Sequence, residues 1–323
     1  MAEPSIRRSS MESSCSSESH VDDLVSKLPQ REGLVLHRGF WLWPQTTKRI
    51  MLLQDSMFKP RDDDIILATN PKCGTTWLKA LAFAITTRSR YHDFHSHPLL
   101  THHPQELVPF LEIPTNEDLT YVETLPSPRL VATHMPMSLL PAAGSIASHG
   151  CCRIVYICRE PKDVFVSVNV AFLKKDTRRR TRFAKVCLPY GPFWNHCLEY
   201  WRESIARPDR VLFLKYEDMM SDPVRYVKKL ALFLGVPFTC REEEDGVVEQ
   251  VVRLCSFEML SGLEGNRTGS LKLRPRPNVV YEKSAFFRTG KVGDWVNDMS
   301  EEMGRKLDRI MAEKLKGSGL VFS

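Results

Sequence analysis

A lysine, a glycine and two threonines fall within five consecutive residues, Lys72 to Thr76, in the stretch "NPKCGTTWLKAL". The apolar run "IILAT" precedes them, and Leu78, Leu81, Ala82 and Ile85 follow at helical spacing. A strand therefore leads through a tight turn into a helix. At such a junction the unpaired N–H groups and the helix dipole favour negative charge. Lys72 adds a point charge, Gly74 permits close backbone approach, and Thr75 and Thr76 bring hydroxyl donors. The ATP-type loop, G-x-x-x-x-G-K-[ST], is not matched, because the lysine precedes its glycine. Taken alone, the turn is equally readable as an anion site or as a capped helix start with a solvent-facing lysine.

The elements that must position this turn are legible in outline. Four apolar runs read as buried strands: Ile65–Thr69, Leu130–Thr133, Arg153–Cys158 and Arg210–Tyr216. The first and third lead quickly into helical periodicity, and "GPFWNHCLEYWRESIA" carries Phe193, Cys197, Tyr200 and Trp201 at three- and four-residue steps. Asp222 fits a helix N-cap, Pro223 the first helical position and Gly235 the stop. Ser300, Glu301 and Glu302 open a last helix that turns Met303, Leu307, Ile310 and Met311 inward. Strands alternating with helices imply an α/β fold, a single domain with a central parallel β-sheet flanked by helices. That domain is expected over residues 40–323, and the Ser-rich stretch 1–25 is expected to be a disordered tail.

Composition narrows the functional classes. The chain has 323 residues, 42% hydrophobic and 26% charged, as a globular protein does. A net charge of +6 suits an anionic small molecule and is too diffuse to argue for nucleic acid. No apolar run reaches the roughly 18 residues that a membrane helix needs, and the N-terminus lacks the apolar core of a secretory signal. Nine cysteines, an odd number without C-x-x-C spacing, read as reduced and mostly buried thiols, which points to the cytoplasm. The sequon at Asn266 is then a chance match, and the pair Cys151–Cys152 reads as packing at a strand entry.

"PKCGTTW", "YICREPKDVFVSVN", "FLKYEDM" and "FFRTGKVGDW" occur in that order, and together they resemble the cytosolic sulfotransferases, a P-loop-like fold. "HPLLTHHPQELVPFLE" and "RLVATHMPMSLLP" are similar to the plant branch of that family. The resemblance spans nearly everything from about residue 40 onward. It implies transfer of a sulfuryl group from 3′-phosphoadenylyl sulfate (PAPS) to a hydroxyl of a small molecule of flavonoid, brassinosteroid or hydroxyjasmonate type, with no metal. By the same resemblance, Lys72, Cys73, Gly74, Thr75, Thr76 and Trp77 hold the 5′-phosphosulfate, with Trp77 against the adenine. Arg159, Ser167, Arg288, Thr289 and Gly290 bind the 3′-phosphate, and Tyr216, Ser256 and Phe257 lie on the adenine side. His134 matches the general base, Lys72 stabilises the leaving bisphosphate, and Ser167 restrains Lys72 before the acceptor arrives.

Some signals are discounted, and some depart from the family. Five histidines, His92, His95, His97, His102 and His103, suggest a metal, but no H-E-x-x-H or cysteine partner accompanies them, so a solvated or substrate-side loop is expected. "KKDTRRRTR" at Lys174–Arg182 is read as a solvated basic loop. It stands where plant members carry a longer, acid-containing segment on the acceptor side. Thr289 replaces a common family lysine, and "VNDMSEEMGR" lacks the animal dimer motif, so no oligomer is inferred. Two alternatives stand beside the main reading: a protein that binds the nucleotide without transferring sulfate, and a P-loop kinase.

Overall fold

The structure is a computed structural model that describes residues 18–91, 93–113, 120–141, 152–172, 189–272 and 280–322. Its centre is a four-stranded parallel sheet made of β4 (Ile65–Thr69), β5 (Leu130–Thr133), β6 (Arg153–Cys158) and β7 (Val211–Lys215). The order is β5-β4-β6-β7, and β4 pairs with both β5 and β6. All five residues of β4 are buried, as a strand covered on both faces requires. Alternate residues point to opposite faces. Ile66 and Ala68 enter a core with Val131, Ile154, Tyr156, Cys197 and Tyr200. Ile65 and Leu67 enter the other, with Leu78, Leu81, Val155, Leu230 and Val251. All four strand readings from the sequence hold, with β7 one residue shorter at each end.

The helices follow their punctuation. α3 (Thr75–Thr87) starts directly behind the anion-type turn, and α4 (Pro161–Phe172) behind β6. α5 (Phe193–Ala206) buries Phe193, His196, Cys197 and Tyr200. α6 (Pro223–Phe233) is capped by the Asp222 carboxylate, which accepts from the Arg225 N–H, and Gly235 follows at φ +79°. α7 spans Val247–Leu254, and α8 (Glu301–Leu315) is capped by Ser300. On α8 Met311 is buried, while Met303, Leu307 and Ile310 are half-buried.

Three features differ from the sequence reading. Residues 18–26 form α1, tied to Lys48 of α2 (Pro44–Leu52) by ion pairs from Asp22 at 2.7 Å and Glu18 at 3.7 Å. The tail reading therefore does not hold for residues 18–25, and residues 1–17 lie outside the described residues. Next, β1 (Gln30–Arg31), β2 (Leu34–His37) and β3 (Phe40–Leu42) form a small antiparallel sheet. Its turns set Glu32–Gly33 and Arg38–Gly39 at positive φ, the pattern of tight two-residue hairpins. A further hairpin joins β8 (Ser270–Lys272) and β9 (Val280–Glu282).

At the N-terminal edge of the sheet, Arg129 and Asp64 are both fully buried. The Arg129 guanidinium donates to both Asp64 oxygens at 2.8 and 2.6 Å and to the Lys59 carbonyl at 2.7 Å. Breaking a buried ion pair leaves one charge uncompensated in a low-dielectric site. Arg129 also meets the Glu123 carboxylate at 2.9 Å, so the charge left bare is that of Asp64, and Arg129→Ala should lower unfolding stability in urea by about 3–5 kcal/mol. A loss within error of zero would show that the pair does not fix the start of β4 and β5.

Candidate active site

The C-terminal edge of the sheet opens into a cavity of about 890 Å³. Lys72, Gly74, Thr75, Thr76, Trp77, His134, Arg159, Ser167, Tyr216, Ser256, Phe257, Arg288, Thr289 and Gly290 all line it. Of the sequence-derived site residues only Cys73 does not: its side chain is fully buried in the core beneath the turn, and its N–H is taken up by the Asn70 carbonyl at 3.2 Å.

The turn is strained where it meets the cavity. Lys72 sits at φ +72°, a region that few non-glycine residues occupy. Gly74, at φ +100°, is the N-cap of α3 with no side-chain cap, so the first turn keeps its N–H groups open. A Cβ on Gly74 would lie 2.9 Å from the Tyr216 ring. Tyr216 in turn meets Trp77 edge to face at 5.4 Å. The Thr75 and Thr69 hydroxyls are 2.7 Å apart, and Thr76 accepts from Gln105 at 3.2 Å.

Three cations converge here. Burial, together with the charges of Arg288 and Arg159, lowers the Lys72 ammonium to about 8. Arg159 stands over the Tyr216 ring at 4.6 Å, is 3.5 Å from the Asp163 carboxylate, and donates to the Lys291 carbonyl at 2.7 Å. Arg288 pairs with Asp294 at 2.5 Å. Among the described residues each arginine nevertheless keeps one buried nitrogen without a partner, Nε of Arg159 and Nη2 of Arg288. Thr289 contacts Asp294 at 3.4 Å, and Gly290, at φ +64°, is pressed so close to Phe257 that a Cβ would stand 2.5 Å from its ring. Ser167 is buried and faces the cavity one to two turns into α4, and Ser256 caps the helix that carries Phe257.

His134 follows β5. Its Nδ1 lies 2.8 Å from the Thr69 carbonyl, which fixes the proton on Nδ1 and leaves Nε2 as the basic nitrogen. Burial pushes this imidazole down to about 3, assisted by the charges of Lys79, His196 and Lys72 and opposed by the bond to Thr69. Phe110 and Tyr190 flank the ring, with centroids at 4.8 and 5.5 Å. Trp43, Thr46 and Ile113 continue that wall. None of these flanking residues stood out in the sequence. Tyr190 arrives through pairing of Trp41 with Gly191, a long-range bridge that no local pattern announces.

The histidine-rich stretch is not simply a solvated loop. His97 and His103 are buried, and their Nδ1 atoms accept from the N–H of Leu99 and Gln105, capping two short helices. His95 and His102 are exposed, and His92 lies outside the described residues, as do Cys151 and the basic segment Lys174–Arg182. Asn266 of the sequon is buried and donates to the Leu260 carbonyl at 2.8 Å. Among the described residues no group of three or more His, Cys, Asp or Glu is placed to hold a metal. Among them, too, no helix is long and apolar enough to cross a membrane.

Residues 62–319 match the sulfotransferase domain family, and the chain belongs to it. Its relatives within that family are plant cytosolic sulfotransferases. Cytosolic sulfotransferase 17 of Arabidopsis thaliana is 42% identical over 324 residues, covering 94% of this chain and 90% of the relative. Flavonol 3-sulfotransferase of Flaveria bidentis is 40% identical, covering 94% and 100%. A crystal structure of an Arabidopsis thaliana protein, provisionally described as a steroid sulphotransferase, superposes with a TM-score of 0.69 at 35% identity, covering 93% of this chain and 94% of that one. Retinol dehydratase in complex with androsterone and PAP shares the fold at a TM-score of 0.71 and 18% identity, over 93% and 95% of the two chains. The chain is therefore a sulfotransferase, an enzyme that moves sulfuryl groups.

Four neutral imidazoles carry a consequence for acid stability. Burial holds His97, His103 and His196 down to about 4 and His134 to about 3, whereas in the unfolded chain each protonates near 6.5. As pH falls, the unfolded chain binds these protons first, so stability is full above 6.5 and is lost progressively toward 4. Calorimetry should show Tm falling across that window, and a Tm constant through it would contradict the burial of these rings.

Proposed function

We propose that this enzyme transfers the sulfuryl group of PAPS to a hydroxyl of a small, ring-bearing molecule. The observation that carries this reading is a single one: a basic imidazole nitrogen shares one cavity with the lysine turn and with two arginines that each keep an unpartnered buried nitrogen. In the reaction the acceptor oxygen attacks sulfur, and the bond from sulfur to the bridging oxygen of the nucleotide breaks. The acceptor proton passes to Nε2 of His134, and 3′,5′-bisphosphoadenosine leaves. His134 is the general base, neutral at any working pH. Lys72 and the open N-terminus of α3 stabilise charge that builds on the leaving oxygen. The donor's own negative charge offsets the neighbouring cations and so raises the basicity of both groups.

Arg159 and Arg288 suit a second phosphate, since each offers a spare donor where an anion would satisfy it. Ser167, Thr289 and Gly290 complete that cradle, and Trp77, Tyr216, Ser256 and Phe257 offer flat or edge contacts to the adenine. On the acceptor side, Trp43, Phe110, Ile113 and Tyr190 favour an apolar ring system, of flavonoid, brassinosteroid or hydroxyjasmonate type. The Flaveria relative, a flavonol 3-sulfotransferase, and the Arabidopsis protein described as a steroid sulphotransferase support a flavonoid-type or steroid-type acceptor. Buried thiols at Cys73, Cys158, Cys197 and Cys255 and the cytosolic relatives support a cytoplasmic enzyme.

The test is transfer of labelled sulfate from PAPS to a panel of flavonols, steroids and hydroxylated jasmonates, with and without His134→Ala. At least one acceptor should be sulfated, and the variant should lose about 10²–10⁴-fold in kcat. Donor binding without transfer, unchanged by the substitution, would leave a nucleotide-binding protein, and magnesium-dependent ATP turnover would leave a kinase. A second prediction concerns Arg159→Ala. It should weaken 3′,5′-bisphosphoadenosine by about 10–100-fold, the worth of a charge-assisted hydrogen bond. Adenosine 5′-phosphosulfate, which lacks the 3′-phosphate, should bind as before, and an equal loss for both ligands would reject the assignment.

A further inference from the structure

Glu112 has no assigned role, yet it is fully buried behind His134. It arrives there because residues 109–111 pair alongside β5: the Ala132 N–H donates to the Pro109 carbonyl at 2.8 Å, and the Leu111 N–H to the Ala132 carbonyl at 2.9 Å. One Glu112 oxygen accepts from the His134 backbone N–H at 2.6 Å and from the Tyr190 hydroxyl at 3.4 Å. The other accepts from the Thr133 hydroxyl at 2.9 Å, and that hydroxyl itself accepts from the Met135 N–H at 2.9 Å. Among the described residues, every hydrogen bond the carboxylate accepts from another residue thus comes from the segment that carries His134 or from the ring beside it.

The next peptide, on the other side of the His134 Cα, is held as well. Nε2–H of His196 donates to the His134 carbonyl at 2.9 Å, with its tautomer set by the Tyr156 hydroxyl on Nδ1 at 2.9 Å. Tyr200 donates to the Met135 carbonyl at 2.7 Å. A buried carboxylate is costly to keep unless its oxygens are satisfied. The buried Lys79 ammonium accounts for part of the charge at position 112, but not for the bonds its oxygens accept from the His134 segment and Tyr190. We propose that Glu112 and His196 are positioning residues for the sulfuryl-transfer reaction, clamping the N–H and C=O of His134 so that its Nε2 meets the acceptor hydroxyl.

This inference rests on the reading of His134 as the general base. A misplaced base of about 1 Å slows chemistry by about 10²-fold while leaving ligand affinity alone. Glu112→Ala should therefore lower kcat by about 30–100-fold, with the affinity for 3′,5′-bisphosphoadenosine kept within about twofold. Glu112→Gln keeps an acceptor for the His134 N–H and can donate to Thr133, so it should restore kcat to within about fivefold of the parent. His196→Leu releases the following peptide at the His134 carbonyl, should show the same kcat-only loss, and decides the matter if Glu112→Ala does not fold. His134→Ala is measured alongside. If that variant is inactive while Glu112→Ala and His196→Leu retain parental kcat, positioning fails and the base assignment stands. If Glu112→Gln is as slow as Glu112→Ala, charge rather than placement is what matters, and the inference is overturned. If His134→Ala itself keeps parental kcat, the base assignment falls and this inference falls with it.

Discussion

Parallel pairing about β4 is the constraint on which the site depends. Because β5 and β6 both run parallel to it, and β7 to β6, the carboxyl ends of all four strands open on one edge. Ala68 stands opposite Thr133, Thr69 opposite Ile157, and Cys158 opposite Lys215. One to three residues past those ends come Lys72, His134, Arg159 and Tyr216. Residues widely separated in sequence are brought together by backbone hydrogen bonds they do not make themselves. The buried Arg129–Asp64 pair at the opposite edge fixes where β4 and β5 begin, and so where they end.

Electrostatics then gives the edge its sign. Lys72, Arg159 and Arg288 crowd a partly dehydrated cavity, and burial, together with their mutual repulsion, weakens the hold of Lys72 on its proton. Asp163, Asp294 and the Lys291 carbonyl neutralise only part of the arginine charge. An anion with two separated charged groups relieves that repulsion and fills the two spare donors together. His134 is kept unprotonated chiefly by burial, with Lys79, His196 and Lys72 assisting, which is the state the proposed base role requires.

Much of this was legible in the sequence, where the physical signal was local. The four buried runs could be placed because a strand covered on both sides is apolar throughout, and the caps at Asp222 and Ser300 because a cap is a short-range bond. The strands β1 to β3 escaped because they are two to four residues long, and their turns use Glu-Gly and Arg-Gly in place of the common Asn-Gly. His97 and His103 were misread because an imidazole that caps a helix looks, in one dimension, like any polar loop residue. Glu112 was invisible for the opposite reason: its partners lie 21 and 22 residues away, across a parallel bridge. Cys73 was included by adjacency to Lys72, but the turn rotates its side chain into the core.

The contact between Gly290 and Phe257 has a consequence for how such a chain can vary. Position 290 has room only for hydrogen, because the neighbouring ring occupies the space where a side chain would begin. Any lineage that enlarges residue 290 must first shrink residue 257, and the intermediate would lose the aromatic surface beside the nucleotide before gaining anything in return. A side chain at 290 would also have to adopt φ +64°, so the steric and the backbone constraint fall on the same residue, whereas a smaller residue at 257 meets neither.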